Sequence, residues 1–417
     1  MCYAFYMQTP SLKWFTQATP VQKNALFASG AGWMLDAMDV MLFSLMLPQL
    51  MSSFQMSAQT AGLLNTLMLI SSAFGGICFG VFADRCGRVK ALTWSILIYA
   101  FFTLACGFSQ TILQLALFRI LMGFGMGGEW GTGASLISET WPAKDRGKAM
   151  GLVQSCWAIG YAAAAILVSI LLPAFGWRSV FFFGVVPALA VIWIRKNVSE
   201  PEAWKKAQKE KSLGDWKQLL KTPYRKPFLI ITFMNAGTLF AWWGLFTWIP
   251  SYLALPPEKG GAGLDLVKSA TWIVVMQVGM WLGYVSFGFL SDRFGAKRMY
   301  ITFLFFAAIL TLIYGSTQDP LVLLCLGPFI GFFGTGYFSA MGTLTAELFP
   351  SSILSTTQGS AYNIGRGLSA FAPFLMGYLA KDHGLGAAFQ SVAIFFVFSI
   401  GLALFLPASS KPAPLSI

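Results

Sequence analysis

Five ionisable residues lie in stretches that are otherwise apolar: Asp36, Asp39, Arg119, Glu129 and Arg366. At the centre of a membrane-spanning helix an ionised side chain costs roughly 2.5–3.5 kcal/mol. Three acids and two arginines sum to −1, so one carboxyl has no basic partner and is a candidate to carry a proton. Proton affinity depends on burial and on neighbouring charge, which lets a buried carboxyl respond to whatever binds beside it. Arginine, with its planar fork of donors, suits the two oxygens of a carboxylate. Proton exchange next to an anion-binding arginine is therefore the chemistry these residue types could perform.

The elements that would position them follow from composition. The chain has 417 residues, 56% hydrophobic and 11% charged, with a mean hydropathy of +0.66, too apolar for a soluble domain of this size. A spanning helix needs roughly 20 mainly apolar residues. Twelve segments qualify, at 24–50, 58–82, 90–108, 111–139, 149–172, 177–195, 227–253, 269–290, 299–315, 320–347, 356–380 and 386–406. The expected fold is an all-α integral membrane protein of twelve transmembrane helices. Counted at about 1.5 Å per residue from the basic ends, Asp36 lies about 18 Å deep, Asp39 about 22 Å, Glu129 about 15 Å, Arg366 about 16 Å and Arg119 about 30 Å. Asp36, Glu129 and Arg366 share a level, and Asp39 is the acid nearer in depth to Arg119. Asp36 and Asp39 are three residues apart and project from one helix face.

An internal repeat divides the chain in two. GVFADRCGRVK (80–90) recurs as GFLSDRFGAKR (288–298), an offset of 208 residues, and the same offset carries Glu139 and Pro142 onto Glu347 and Pro350. It also carries Gly123 and Gly128 onto Gly331 and Gly336, whereas Arg119 falls on Gly327 and Glu129 on Tyr337. Arg366, aligned at an offset of 205 through a shared Ile-Gly, falls on Tyr161. The framework is repeated and the charges are not. The expected organisation is an N-terminal tail (1–23), a six-helix bundle (24–195), a polar linker (196–226), a second bundle (227–406) and a C-terminal tail (407–417).

The net charge of +12 invites a nucleic-acid reading, but the basic residues lie mainly on one side of the membrane. With a cytoplasmic N-terminus, 22 of the 28 Lys and Arg fall in cytoplasmic segments, four in external loops (Arg178, Lys259, Lys268, Lys381) and two inside helices. Both termini are then cytoplasmic and the partner is the lipid bilayer, not nucleic acid. The N-terminus has no basic segment before a short apolar run, so insertion is expected to begin at the first helix. Six cysteines show no ligand spacing, and neither a metal site nor a disulfide framework is expected. The run GFGMGG lacks the Lys-Ser or Lys-Thr of a nucleotide loop and reads as close helix packing. His383, the sole histidine, falls in an external loop and is expected on the surface.

G-x-x-x-D-R-x-G-R after the second helix, with its echo after the eighth, resembles the loop signature of the major facilitator superfamily, over essentially the whole chain. LDAMD (35–39), RILMGFGMGGEW (119–130), SETWPAKDRGKAMG (138–151), GWRSVFFFGVVPA (176–188) and YNIGR (362–366) resemble its metabolite:proton symporters, in particular the sialate and monocarboxylate branch. The resemblance implies two pseudo-symmetric six-helix bundles in a cell inner membrane and proton-coupled uptake of a small organic anion, a lactate-like, pyruvate-like or sialate-like acid. It also implies that the proton is the coupling ion, with no other cofactor, and that the carrier acts as a monomer.

Asp36, Asp39 and Glu129 are the candidates for proton coupling. Arg366 and Arg119, with Tyr362, Asn363, Gln154, Trp157, Tyr161 and Gln277, are the candidates for substrate binding. Asp84, Arg85, Arg88 and Glu139, with Asp292, Arg293 and Glu347 in the second copy, form a candidate cytoplasmic gate. That second copy has Ala296 where Arg88 aligns, so its latch should be looser. The reading set against each buried charge is a fixed salt bridge, of Glu129 to Arg119 or Arg366 among others. Other functions stay open: a symporter of aromatic acids, a proton-driven exporter of drugs or metabolites, and a membrane enzyme or receptor. Against an exporter, the fifth helix lacks the Gly-Pro usual in that class; no nucleophile or metal constellation supports an enzyme.

Overall fold

A computed structural model describes residues 13–202, 204–205, 222–349 and 351–406. After a turn at Lys13–Thr16, fourteen α-helices follow, with no strand among the described residues: α1 (Pro20–Ser53), α2 (Ala58–Cys86), α3 (Arg88–Cys106), α4 (Ile112–Thr140), α5 (Ala143–Phe182), α6 (Val186–Asn197), α7 (Arg225–Phe246), α8 (Ile249–Ala254), α9 (Leu266–Phe294), α10 (Ala296–Gly315), α11 (Pro320–Gly336), α12 (Phe338–Leu348), α13 (Ser351–Ser369) and α14 (Ala372–Leu404). They make ten apolar runs long enough to cross a membrane. Two of these runs, Asp145–Ile194 and Thr357–Leu404, hold 50 and 48 residues, about twice a single crossing. Each turns back at a glycine with positive φ, Gly176 (φ 74°) and Gly384 (φ 78°). With each run divided there, twelve segments result.

Gly176 and Gly384 are 208 residues apart, and the same offset governs much of the other punctuation. Ser57 caps α2 by accepting from the Thr60 amide, and Asp265 caps α9 by accepting from the Lys268 amide. Thr111 and Asp319 cap α4 and α11. Gly87 (φ 118°) and Gly295 (φ 90°) make the sharp turns from α2 to α3 and from α9 to α10, conformations that glycine adopts without a Cβ penalty.

Packing repeats as well. Gly75 sits against the Phe124 carbonyl and Gly123 against the Met68 carbonyl, bringing α2 onto α4. In the second half Gly283 meets the Phe332 carbonyl and Gly331 the Met276 carbonyl, the same pairs displaced by 208, bringing α9 onto α11. Small residues that let backbones approach supply the dispersion contact that holds helices together in lipid. GFGMGG is part of this packing. Large apolar side chains such as Phe74, Phe101, Phe175 and Ile394 face outward, as lipid contact requires.

The halves meet through α5 against α9 and through α2 against α13 and α14. Continuity differs between them: α7 breaks at Thr247, α11 at Tyr337 and α13 at Ala370, where single spans were expected. The first half is unbroken at the corresponding levels; the break at Thr247 precedes Pro250, which has no amide to bond the Phe246 carbonyl, while the Gly-x-Gly-Tyr context of the break at Tyr337 gave no proline signal.

A Cβ on Gly283 would run into the Phe332 backbone, whereas one on Gly288 meets nothing within 4 Å. Gly283→Ala is expected to destabilise the α9–α11 contact by about 1–3 kcal/mol. Gly288→Ala, one and a half turns away, is expected to be neutral. Thermal unfolding midpoints of the two variants in detergent check this.

Candidate functional site

The five charged side chains expected in the interior are all buried there, each at most 1% exposed. None makes an ion pair within 4 Å; the pairs found among the described residues are Arg88–Glu139, Lys148–Asp145, Lys205–Glu202 and Lys268–Asp265, all nearer the helix ends. Neither carboxylate oxygen of Asp36 or Glu129 has a hydrogen-bond partner among the described residues, and Asp39 has the Thr103 hydroxyl beside it. The fixed salt bridge weighed for Glu129 is absent from this arrangement.

Arg366, on α13, reaches across to the first half. Its Nη1 donates to the Ser72 hydroxyl of α2 at 2.8 Å, its Nη2 to the Tyr362 hydroxyl at 3.4 Å, and its Nε has no partner. Asp36 and Glu129 are within electrostatic reach of Arg366 and of each other, in keeping with the level shared by the three. Glu129 packs its carboxyl on the bare backbone of Gly32, one turn before Asp36. Tyr99, whose buried hydroxyl has no partner, faces Asp36, Asp39 and Glu129 together.

Aromatic side chains continue the site across both halves. The Tyr362 ring stacks on Trp130 at 4.5 Å, and Trp130 Nε1 donates to Gln154 Oε1 at 3.0 Å. Trp33 touches Trp130 and, at 4.6 Å, Trp157; Trp157 meets Trp242 of the second half edge-on at 5.6 Å. The Tyr161 hydroxyl donates to the Phe246 carbonyl at 3.3 Å, another link between halves. Gln277 is buried with both amide atoms unpartnered. Asn363 donates to the Gly359 carbonyl of its own helix and rests its side-chain oxygen on Gly76, so its contacts belong to helix packing.

Arg119, for which Asp39 was the acid nearer in depth, takes a neutral partner. Its Nη2 donates to Asn65 Oδ1 at 2.6 Å and its guanidinium covers the Phe43 ring at 3.7 Å. The Asn65 amide then donates to the Thr247 hydroxyl at 3.1 Å, in the break between α7 and α8. Depth along a helix ranks partners by level and carries no information about rotation, so an amide on α2 came first. Ser72, Trp33, Phe43, Tyr99 and Thr247 escaped sequence reasoning. Trp33 and Tyr99 had a usable signal, being polar-tipped aromatics in helices that carry or face the carboxyls.

At the basic-loop end, Arg88 and Glu139 form the expected bridge from the start of α3 to the end of α4, at 2.9 Å. Arg85 is on the last turn of α2, and Arg293 lies over the Phe294 ring at 5.2 Å. The side chains of Asp84, Asp292 and Glu347 lie outside the described residues. Lys297, displaced from the Arg88 register, donates to the Leu404 carbonyl at the end of α14. An unanticipated contact comes from Glu200, where the linker begins. It rests on Gly87 and accepts from the Val89 and Lys90 amides at 3.1–3.2 Å, capping α3 with a carboxylate. The opposite end is closed by backbone: Gly62 meets the Pro373 carbonyl, Gly377 meets that of Ala58, and Trp248 donates to Pro373 at 3.0 Å. His383 is exposed, as expected, at an open pocket of about 310 Å³ at that end, which Tyr252, Ser316 and Gln318 also line.

A sequence profile for the Major Facilitator Superfamily matches residues 30–267 and 259–416. A Haemophilus influenzae protein named as a metabolite transport protein is 34% identical, over 92% of this chain and 95% of its own. The sialic acid transporter of Escherichia coli is 30% identical over 92% and 93%, and the cis,cis-muconate transport protein of Acinetobacter baylyi is 30% identical over 89% and 91%. The solved structure of a D-xylose–proton symporter matches with a TM-score of 0.74, covering 94% of this chain and 99% of that one at 18% identity, which shows a shared fold.

Removing the Glu200 carboxylate leaves two amides of the first turn of α3 without their acceptor, at a cost of about 0.5–2 kcal/mol. In Glu200→Ala the Val89 and Lys90 amides are expected to exchange hydrogen faster, by about tenfold, while amides in the middle of α3 are unchanged. Hydrogen-exchange mass spectrometry resolves the two regions.

Proposed function

This chain belongs to the Major Facilitator Superfamily, and on that premise we propose that it takes up a small organic anion together with a proton, by alternating access between its halves. It is a multi-pass membrane transporter, not an enzyme. The observation that carries the proposal is the group Arg366, Asp36 and Glu129: one guanidinium from the second half and two carboxyls from the first, buried together with no ion pair. A fixed salt bridge would have used up these charges. Left unpaired, the guanidinium can take a substrate carboxylate, and a carboxyl beside it can take the proton that offsets the added negative charge.

Asp36 and Glu129 are the coupling pair in this proposal, with Asp39 a turn further along on the Arg119 side. Arg366 is the anion site, and Tyr362, Trp130 and Gln154 hold its surroundings. Relatives named for sialic acid and for cis,cis-muconate support an organic acid as cargo. We place the basic loops and both termini in the cytoplasm of a cell whose inner membrane holds the protein as a monomer. In that orientation the backbone-sealed end is external.

Uptake of radiolabelled acids into proteoliposomes under an imposed pH gradient tests the proposal. Wild-type protein is expected to accumulate at least one acid, and a proton-conducting uncoupler should abolish the accumulation. Arg366→Gln is expected to lose uptake by at least about tenfold, in line with removal of a charged hydrogen-bonding partner. Asp36→Asn is expected to lose gradient-driven accumulation while retaining exchange of labelled for unlabelled acid. Accumulation insensitive to the uncoupler overturns proton coupling.

A further inference from the structure

Tyr99 of α3 is fully buried, and its hydroxyl has no hydrogen-bond partner among the described residues. Its helix packs on α4 and touches α1, and α1 packs on α4 in turn. A Cβ on Gly125 of α4 would come within 2.7 Å of the Tyr99 amide nitrogen, and Ser95, one turn earlier on α3, donates to the Gly125 carbonyl at 2.7 Å. Glu129 follows Gly125 by one turn, and its carboxyl rests on Gly32, one turn before Asp36. From this position the Tyr99 hydroxyl faces Asp36, Asp39 and Glu129 together.

A second hydroxyl continues the same face of α3. Buried threonines elsewhere in these helices bond the carbonyl one turn back, as Thr132, Thr232, Thr238 and Thr311 do. Thr103, one turn beyond Tyr99, does not. Its methyl packs on Gly184 and its hydroxyl lies beside Asp39. Counted at about 1.5 Å per residue from the basic end of α3, Tyr99 is about 16 Å deep and Thr103 about 22 Å, the levels of Glu129 and Asp36 and of Asp39.

The internal repeat ties the phenol to the carboxyls. At the 208 offset Asp36 falls on Gly244, Asp39 on Thr247, Glu129 on Tyr337 and Tyr99 on Ala307. Thr103 falls on Thr311, whose hydroxyl is spent on its own backbone. The half without carboxyls thus has no phenol in this place. Among the described residues no three acidic, cysteine or histidine side chains converge closely enough to hold a metal ion, so the carboxyls are not a cation cage. The Glu129 carboxyl lies at Gly32, and Asp39 is seven residues along the same helix, about 10 Å between backbone levels. An O–H···O bond spans about 2.7 Å. A proton passing between those carboxyls needs a group that accepts and donates at one atom, which a phenol does.

We propose that Tyr99 relays the coupling proton among Glu129, Asp36 and Asp39, with Thr103 assisting at Asp39, so that the proton moves within the first half while the anion is held at Arg366. In each transfer the O–H bond of a protonated carboxyl breaks as one forms at the phenol oxygen, and the phenol's own O–H breaks as one forms on an ionised carboxyl. One proton is displaced and the phenol ends neutral. The proposal rests on the carrier reading above and gives its proton a path.

The test uses the full-length protein in proteoliposomes with radiolabelled cis,cis-muconate, N-acetylneuraminate and lactate, taking forward the acid that wild type accumulates most. Two initial rates are read on each preparation: accumulation driven by a pH gradient, and exchange of external labelled for internal unlabelled acid without one. Exchange can proceed with the proton left on the carrier, so it does not need the relay, and the ratio of the rates is independent of the amount of folded protein. Tyr99→Phe keeps the ring and deletes the hydroxyl; it is expected to lower the ratio by at least about tenfold. Thr103→Val is expected to lower it by about three- to tenfold. Tyr314→Phe deletes a buried, unpartnered hydroxyl on α10 and should leave the ratio at the wild-type value. Tyr99→Phe decides the matter if it inserts, and Thr103→Val decides it otherwise. A wild-type ratio in the deciding variant, or exchange lost in step with accumulation, overturns the relay and leaves the carrier reading in place. No uncoupler-sensitive accumulation of any of the three acids by wild type overturns the carrier reading and the relay with it.

Discussion

Five ionisable side chains held in an apolar interior without a single ion pair among them are the constraint on which the rest of the structure depends. Isolated charge in such surroundings is expensive, and two fixed Arg–carboxylate pairs would have been the simple way to lower that cost. The chain instead distributes its charged groups among neutral ones. Arg366 uses a serine and a tyrosine, Arg119 an asparagine and a phenylalanine ring, and Glu129 lies on a bare glycine backbone. Neutral partners can be exchanged for a substrate carboxylate without first breaking an ion pair. The arrangement retains unsatisfied polar capacity at the interface between halves, where a carrier needs it.

The scaffold supporting this interior is one unit used twice. Caps, sharp turns, glycine contacts and bends recur at one spacing because each is a backbone requirement, and the backbone geometry is shared. Side-chain chemistry is under no such requirement. At the 208 spacing Asp39 corresponds to Thr247 and Glu129 to Tyr337, and both second-half residues sit where a helix breaks. The first half keeps continuous helices and places carboxyls at these levels; the second half interrupts the helices and places neutral hydroxyls there. Broken helices free backbone carbonyls, such as that of Phe246, which accepts from Tyr161. One half therefore supplies titratable groups and the other supplies dipoles and Arg366.

Much of this was legible in the sequence, for identifiable reasons. Spanning segments follow from hydropathy and the two halves from a repeat, and both are one-dimensional signals. The common depth of Asp36, Glu129 and Arg366 could be counted because helical rise is constant. Rotation about each helix axis could not, so Asn65 was missed as the partner of Arg119, and Ser72 as that of Arg366. The breaks at Thr247 and Ala370 are each followed three residues later by a proline, Pro250 and Pro373, which lacks the amide that would bond the carbonyl four residues back, so the sequence does carry a signal for them. Glu200 was hidden for a different reason. In sequence it is one charge in a basic linker, and only the fold brings it to the exposed amides of α3.

The two arginines differ in what they hold: Arg366 meets a serine and a tyrosine, and Arg119 an asparagine that continues across the interface. Arg119 helps to close the end opposite the basic loops, yet it does so through an amide: it fixes the Asn65 oxygen, which leaves the Asn65 nitrogen to donate to Thr247 across the interface. Breaking a buried ion pair by removing a partner costs about 3–5 kcal/mol, whereas a neutral hydrogen bond contributes about 0.5–1.5 kcal/mol. A seal that must open in each transport cycle is better built from the weaker contact. Backbone packing of Gly62 and Gly377 gives it area, and the amide gives it register. An Asp39–Arg119 ion pair spanning the same level would join two helices of one half and leave the seal without a polar link to the other. The asparagine places the charge of Arg119 within the first half and lets a neutral group make the crossing.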